Sequence, residues 1–253
     1  MKFTTDGLII KTYDVGENDR SVVVLTRDRG IINAFVSGAR KVGSKNGAAT
    51  ALLTYSSLTF TQKGETNRIT ESEPLKIFFD LRTDVEKFSL AQYICELASV
   101  LVPYGVEDED YLRLALNSLH FLSTGSKDIY LIKAVTELRL MVISGLMPDL
   151  VGCRNCGSDA NFPLFLDTSG GEMLCANCRS KHSGKISLLE LDRTILSAAR
   201  HITYSDFSKL YSFTLPTEHA KYLSVLTERY LLAQTEHKFK TLEFFHSIES
   251  FTV

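Results

Sequence analysis

Two different spacings of apolar and polar residues divide this chain. Up to about residue 80 the apolar positions come in short β-branched and aromatic runs: Gly7 to Tyr13 (GLIIKTY), Ser21 to Thr26 (SVVVLT), Ile31 to Val36 (IINAFV), Leu52 to Thr61, and Asn67 to about Phe79. Runs of this length and make-up, bounded by turn residues, predict strands. Asp28-Arg29-Gly30 and Lys63-Gly64-Glu65 are turn signals between neighbouring runs. Gly38 to Ala51 has little to bury and predicts a loop or a short covering helix. Five consecutive strands with no room for long helices predict a small closed barrel, and the five-stranded OB-fold is the commonest candidate.

From Thr83 the period lengthens. Thr83 and Glu86 read as a capping box, followed by Val85, Phe88, Ala91, Ile94, Ala98 and Leu101 on one helical face. Further helices are predicted from about Asp108 to Leu122 and from Asp128 to Ser144. Ser187 and Glu190 read as a second capping box, opening a helix that runs to about Ile202. A long helix follows from Pro216 to roughly Glu236, and a short turn from Leu242 to Ile248 closes the chain. The predicted fold class is α+β multidomain: an OB-fold β-barrel over residues 1–80, then an α-helical domain over 81–253 with a four-cysteine zinc module inserted at about 150–182.

That module rests on Cys153/Cys156 and Cys175/Cys178, two C-x2-C pairs separated by eighteen residues. A two-residue gap lets both sulfurs of one tight turn reach the same ion, and the second turn supplies the other two. Four thiolates fill a tetrahedral shell and leave no position for water, so the site is structural Zn2+. Gly152, Gly157 and Gly170-Gly171 supply turn residues around it. Met1 leads straight into polar residues, so no signal peptide is expected and clustered cysteines favour metal over disulfides. His182 is a less favoured alternative ligand, and Cys95, among Ile94, Leu97 and Ala98, reads as a core residue.

At 253 residues and 44% hydrophobic the chain can bury one large or two modest cores, and no apolar run reaches membrane-spanning length. Net charge is −2, but residues 1–80 carry 11 Lys/Arg against 9 Asp/Glu, a net of +2, leaving −4 for the rest. Catalytic motifs are scarce. Gly43-Ser44-Lys45 transposes the Gly-Lys-Ser/Thr of a phosphate loop, placing the lysine where it cannot clamp phosphate. His120, His201 and His219 lie in helical segments as solvated or hydrogen-bonded side chains rather than general bases. What remains is a set of cations on the β module: Lys11, Arg20, Arg27, Arg29, Arg40, Lys41, Lys45 and Arg68. An OB sheet binds single strands by offering cations to phosphates and aromatic faces to bases. Solvated strand ends around core aromatics remain the alternative. Phe35 and Phe60 read as core, and Tyr13 as the candidate for a base stack.

The order of pieces resembles the RecO family of bacterial recombination mediators. The likeness is carried by GLIIKTYDVGENDRSVVVLTRDRGIINAFVSGARK (Gly7 to Lys41), TELRLMVISGLMPDLVGCRNCGS (Thr136 to Ser158), GGEMLCANC (Gly170 to Cys178) and LEFFHS (Leu242 to Ser247). The resemblance implies a non-enzymatic protein, cytoplasmic and nucleoid-associated, with no small-molecule substrate and no membrane. Such proteins bind single- and double-stranded DNA, anneal complementary strands, and act with RecR to load recombinase onto strands coated by single-strand-binding protein. They contact that protein's acidic, hydrophobic C-terminal tail through the helical domain. Carried over, the DNA contacts fall on Lys11, Arg20, Arg27, Arg40, Lys41, Lys45 and Arg68. The loop after Gly38 is less basic than the family pattern, diluted by Val42, Gly43 and Ala48, which implies modest intrinsic affinity. The readings from other classes are an RNA-binding OB/zinc-ribbon protein and a partner-docking scaffold without nucleic-acid affinity.

Overall fold

A computed structural model describes residues 1–105, 107–181 and 187–251; His182 lies outside the described residues. Five strands, β1 (Lys2–Val15), β2 (Asp19–Thr26), β3 (Ile31–Val36), β4 (Thr54–Lys63) and β5 (Thr66–Ile77), form a closed barrel in the order β1-β2-β3-β5-β4, with α1 (Lys45–Ala49) between β3 and β4. Helices α2 (Val85–Leu101), α3 (Asp110–Thr124) and α4 (Ile129–Ile143) follow. Next come β6 (Leu164–Asp167), β7 (Glu172–Cys175), α5 (Ala176–Arg179), β8 (Leu188–Leu191), α6 (Arg193–Tyr204), α7 (Thr217–Thr235) and α8 (Lys240–Phe251).

The barrel is an OB-fold, and the period-2 pattern builds it. Ile9, Val22, Val24, Ile32, Ala34, Val36, Leu58, Phe60 and Ile69 all point inward and form one buried cluster. Closure depends on β1, whose first half pairs with β4 (Lys2–Leu8) while its second half pairs with β2 (Gly7–Val15). At the crossover a Cβ on Gly7 would lie 2.5 Å from Val24 Cγ1, so only glycine fits there. β3 and β5 pair in parallel, and the other pairings are antiparallel. The Gly38–Ala51 stretch contains the short helix, pinned by buried Ala39 and Ala49 and by Ser56 Oγ donating to the Ala49 carbonyl at 2.7 Å.

The chain divides into two compact units, 1–124 with 239–253, and 125–238. In the first, α2 packs on α8, where Tyr93 meets Phe239 edge-on at 5.8 Å. The final segment is therefore a docked twelve-residue helix rather than a short turn. In the second, α4 packs on α7 beside a small sheet of order β7-β6-β8. Both expected capping boxes are corrected. Asp84, not Thr83, caps α2 by accepting from the Glu86 and Lys87 amides. Leu188–Leu191 is a strand paired with β6, and Asp192 caps the following helix. The Phe60 reading holds at 0% exposure, but Phe35 is half-buried and faces outward, because inward-facing Ala34 and Val36 flank it. Among the described residues no helix is long and apolar enough to cross a membrane.

Candidate functional site

The four cysteines converge, with sulfurs all within 4.8 Å of one another. Each pair sits on a turn built for it. Cys153 N donates to Ser158 O at 2.9 Å, Gly157 N returns to Cys153 O at 2.7 Å, and Gly157 takes φ +71°. A Cβ on Gly152 would lie 2.6 Å from Gly157 O, so the knuckle needs both glycines. Cys175 ends β7 as the N-cap of α5, whose single turn brings Cys178 alongside. Arg179 lies over the Phe165 ring at 4.1 Å and holds that turn on the sheet.

The donor set fits a tetrahedral ion. Metal–sulfur bonds of about 2.3 Å place sulfurs about 3.8 Å apart at tetrahedral angles, and Cys156 Sγ stands 3.8 Å from Cys175 Sγ. Burial raises the Cys153 thiol, but bonds from the backbone of Cys175, Asn155 and Cys156 outweigh it and bring the pKa down to about 6. Cys178 moves up to about 12, chiefly through its bond with Cys175. These residues could hold a metal ion. By contrast Cys95 is isolated in the core, 3% exposed, with burial pushing its pKa up to about 12.

The seven cations singled out from the sequence occupy three kinds of setting. Lys41 and Lys45 are exposed on the β3–β4 loop, and no hydrogen bond or ion pair of either ammonium is found among the described residues. Arg68 on β5 is exposed too and has no carboxylate partner there; its guanidinium lies 5.2 Å from the Phe35 ring centroid. Arg27 and Arg40 are paired: Arg27 with Asp6 at 2.9 Å and with the Tyr55 hydroxyl at 2.9 Å, Arg40 with Asp14 at 3.3 Å and the Gly16 carbonyl at 2.8 Å. The Tyr55 bond holds the Arg27 pKa above its ordinary value.

Arg20 and Lys11 are placed differently. Arg20 is half-buried and donates to Gly47 O at 3.1 Å and Thr50 Oγ1 at 3.3 Å, clasping the loop that carries Lys45. Desolvation lowers its pKa. Lys11 lines a cleft of about 340 Å3 with Tyr13, Gln92, Glu96, Lys240 and Thr241. Tyr13 is 55% exposed at its rim. Arg29 lies over the Phe3 ring at 4.2 Å.

Sequence reasoning missed Tyr104, in the turn after α2. It is 68% exposed, makes an isolated bridge with Gly30, and its hydroxyl lies 3.4 Å from Asn33 Nδ2. No strand pattern marks it; an aromatic between Pro103 and Gly105 was its one signal.

Comparison with known proteins covers almost the whole chain. Residues 1–78 match the family described as recombination protein O, N terminal, and residues 82–243 match recombination protein O, C terminal. A protein named DNA repair protein RecO from Symbiobacterium thermophilum is 28% identical over 252 residues, 98% of each chain. One of the same name from Acetivibrio thermocellus is 26% identical over 97% of this chain and 96% of its own. A third, from Dehalococcoides mccartyi, is 30% identical over 82% of this chain and 81% of its own.

Proposed function

The chain belongs to the recombination protein O family, and on that premise we propose that it is a non-enzymatic recombination mediator in DNA repair. It binds single- and double-stranded DNA, anneals complementary strands, and helps load recombinase onto strands coated by single-strand-binding protein. It does so in the cytoplasm at the nucleoid, with RecR as partner.

The observation that carries this reading is the set of exposed cations that have no carboxylate partner among the described residues: Lys41 and Lys45 on the β3–β4 loop and Arg68 on β5. Annealing needs no covalent step. Cations held against two backbones reduce their mutual repulsion, and base pairing supplies the driving force. Arg27 and Arg40 already have carboxylate partners, so they contribute by exchanging an acidic partner for a phosphate, at smaller net gain. Arg20 acts through the loop it clasps. Lys11 and Lys240 extend the cationic surface at the cleft beside α2 and α8.

For the acidic, hydrophobic tail of single-strand-binding protein, the groove beside α6 offers suitable chemistry. Arg193, 4.7 Å over the Phe162 ring, and Arg200 line a cavity of about 330 Å3 with Leu196, and Asp159, 3.9 Å from Arg200, is the carboxylate that the tail would displace. The ion held by Cys153, Cys156, Cys175 and Cys178 is Zn2+, and it braces the scaffold without touching the strands.

Fluorescent annealing of complementary oligonucleotides, bare or coated with single-strand-binding protein, tests the reading. The protein should accelerate both reactions, and the combined variant Lys41→Ala, Lys45→Ala and Arg68→Ala should slow both by about tenfold or more, since each lost phosphate contact weakens strand binding. No acceleration by the wild-type protein refutes the proposal. Tighter binding of RNA than DNA oligomers in competition would point instead to an RNA-binding OB protein.

A further inference from the structure

We propose that the acidic turn ahead of α3 competes with DNA for the arginines of the β2–β3 hairpin. Glu107 and Glu109 hold phosphates off that end of the barrel and leave them to the end that carries Lys41, Lys45 and Arg68. The inference rests on the proposed function and names the residues that decide which cations a strand can use.

Residues 107–110 read Glu-Asp-Glu-Asp, four carboxylates in succession. The backbone just before them is fastened to the hairpin. Tyr104 forms an antiparallel bridge with Gly30, Gly105 N donates to Arg29 O at 3.2 Å, and Asn33 Nδ2 donates to the Tyr104 hydroxyl at 3.4 Å. Gly105 turns the chain there at φ +74°, a conformation that a residue with a side chain would strain to adopt. On the far side of the acids, α3 packs against β1 and β2. The carboxylates are thus held at the hairpin from both directions. After the Tyr55 hydroxyl and Asp6, Glu109 is the next group that favours the charged Arg27 guanidinium. Asp108 is used locally, accepting from the Asp110 amide at 2.9 Å where α3 begins. Glu107 and Glu109 are exposed, and no side-chain hydrogen bond or ion pair of either is found among the described residues.

The charge balance decides the consequence. Arg27 stands 2.9 Å from Asp6 and Arg29 3.9 Å from Asp28, so each hairpin arginine already has a carboxylate beside it. A phosphate arriving here must displace those partners and also meet the repulsion of Glu107 and Glu109. The opposite end of β3 differs. There the strand leads into the loop of Lys41 and Lys45, and Phe35 stands in register with Arg68. Six residues of strand separate the two ends by roughly 20 Å, about twice the screening length at 0.1 M salt. The acids therefore act on the hairpin arginines and leave the cations at the loop end available. A DNA backbone is steered to one end of the barrel by what the other end repels.

The test measures anisotropy of a labelled single-stranded oligomer over a range of salt, with a melting curve for every protein. The proteins are the wild type, Glu107→Gln with Glu109→Gln, Arg27→Ala with Arg29→Ala, and all four changes together. At low salt the glutamine variant should bind about fivefold more tightly than the wild type. Its slope of log affinity against log salt should steepen by about 0.7 for each arginine freed. Without the arginines the same two glutamines should gain less than about twofold, because nothing remains to be freed. Glu107 and Glu109 are exposed, so the glutamine variant folds, and its result stands whatever the loss of Arg27 and Arg29 does to their contacts with Tyr55 and Phe3. Unchanged affinity and slope in the glutamine variant would overturn the competition, and with a lowered melting temperature would leave the two acids as charges that favour the start of α3. An equal gain with and without the arginines would also overturn it, as a mere change of net charge. Failure of both the wild type and the glutamine variant to bind would overturn the proposed function and the competition with it.

Discussion

Lys133 is 1% exposed between α4 and α7, with its ammonium 2.9 Å from Glu137 and 2.7 Å from Glu228. Burial alone would lower its pKa, but the two carboxylates outweigh that and raise it. Glu137 is fully buried; desolvation raises its pKa despite Lys133 and the Thr227 hydroxyl at 2.7 Å. The charged lysine therefore stabilises the fold through neutral pH, and that contribution fades only as pH rises through its folded value, above 10.5. Lys133→Met leaves Glu137 buried beside a second carboxylate and should cost about 3–5 kcal/mol at neutral pH. The folded Glu137 binds its proton more tightly than the unfolded chain does, so the cost should shrink as pH falls toward 4.5. Urea denaturation across pH measures this, and a cost independent of pH would contradict it. A lysine and a glutamate four apart carry no sign of burial in the sequence, because nothing local announces that α7 covers them. Phe35 misled for the opposite reason: apolar neighbours in a strand say which residues alternate, not which of the two faces is the inside.

At the scale of elements, β3 has the bounds the sequence predicted, and the other barrel strands are longer or shifted by a few residues at their ends. Strand pairing extends strands beyond the apolar run, as in β1, whose Lys2–Asp6 and Asp14–Val15 ends are held by ladder bonds to β4 and β2. Helix starts were displaced where two capping residues compete: Asp84 stands next to Thr83 and its carboxylate takes the α2 amides. Ser187-Leu188-Leu189-Glu190 satisfied the capping pattern, but Leu189 and Leu191 are buried with Glu190 exposed between them, a strand alternation that pays off only against β6. Those partner strands, four residues each, were too short to read. The cysteine spacing was legible because it encodes the knuckles directly. Loss of the ion should melt these elements first, since structural zinc supplies on the order of 10–16 kcal/mol of apparent binding energy. Chelation, or Cys153→Ser, should release one ion per chain and lower the melting transition of the unit spanning 125–238, while the barrel still binds single strands. Metal-free purified protein with an unaltered melting curve would contradict a metal centre.

At the scale of the whole molecule, the barrel and the cysteine module were readable as ordered pieces, and the matches to both terminal regions of the family follow that order. Less legible was the return of the chain: 239–253 rejoins the unit that contains the barrel, where the Thr241 amide and hydroxyl both donate to Glu96. Such a contact is separated by 145 residues and leaves no trace in local pattern. Charge was the other matter hidden from the sequence. Of the seven cations only Lys41, Lys45 and Arg68 are exposed and, among the described residues, without a hydrogen bond or ion pair: Asp6 and Asp14 lie beside Arg27 and Arg40, Arg20 is bonded to the loop and Lys11 is half-buried in a cleft. The most direct measurement is the salt dependence of single-strand affinity. Three phosphate contacts at about −0.7 each give a slope of log affinity against log salt near −2, moving toward zero in the Lys41→Ala, Lys45→Ala and Arg68→Ala variant. A wild-type slope near zero, or a variant whose slope stays that of the wild type, would contradict the cationic surface on which the function depends.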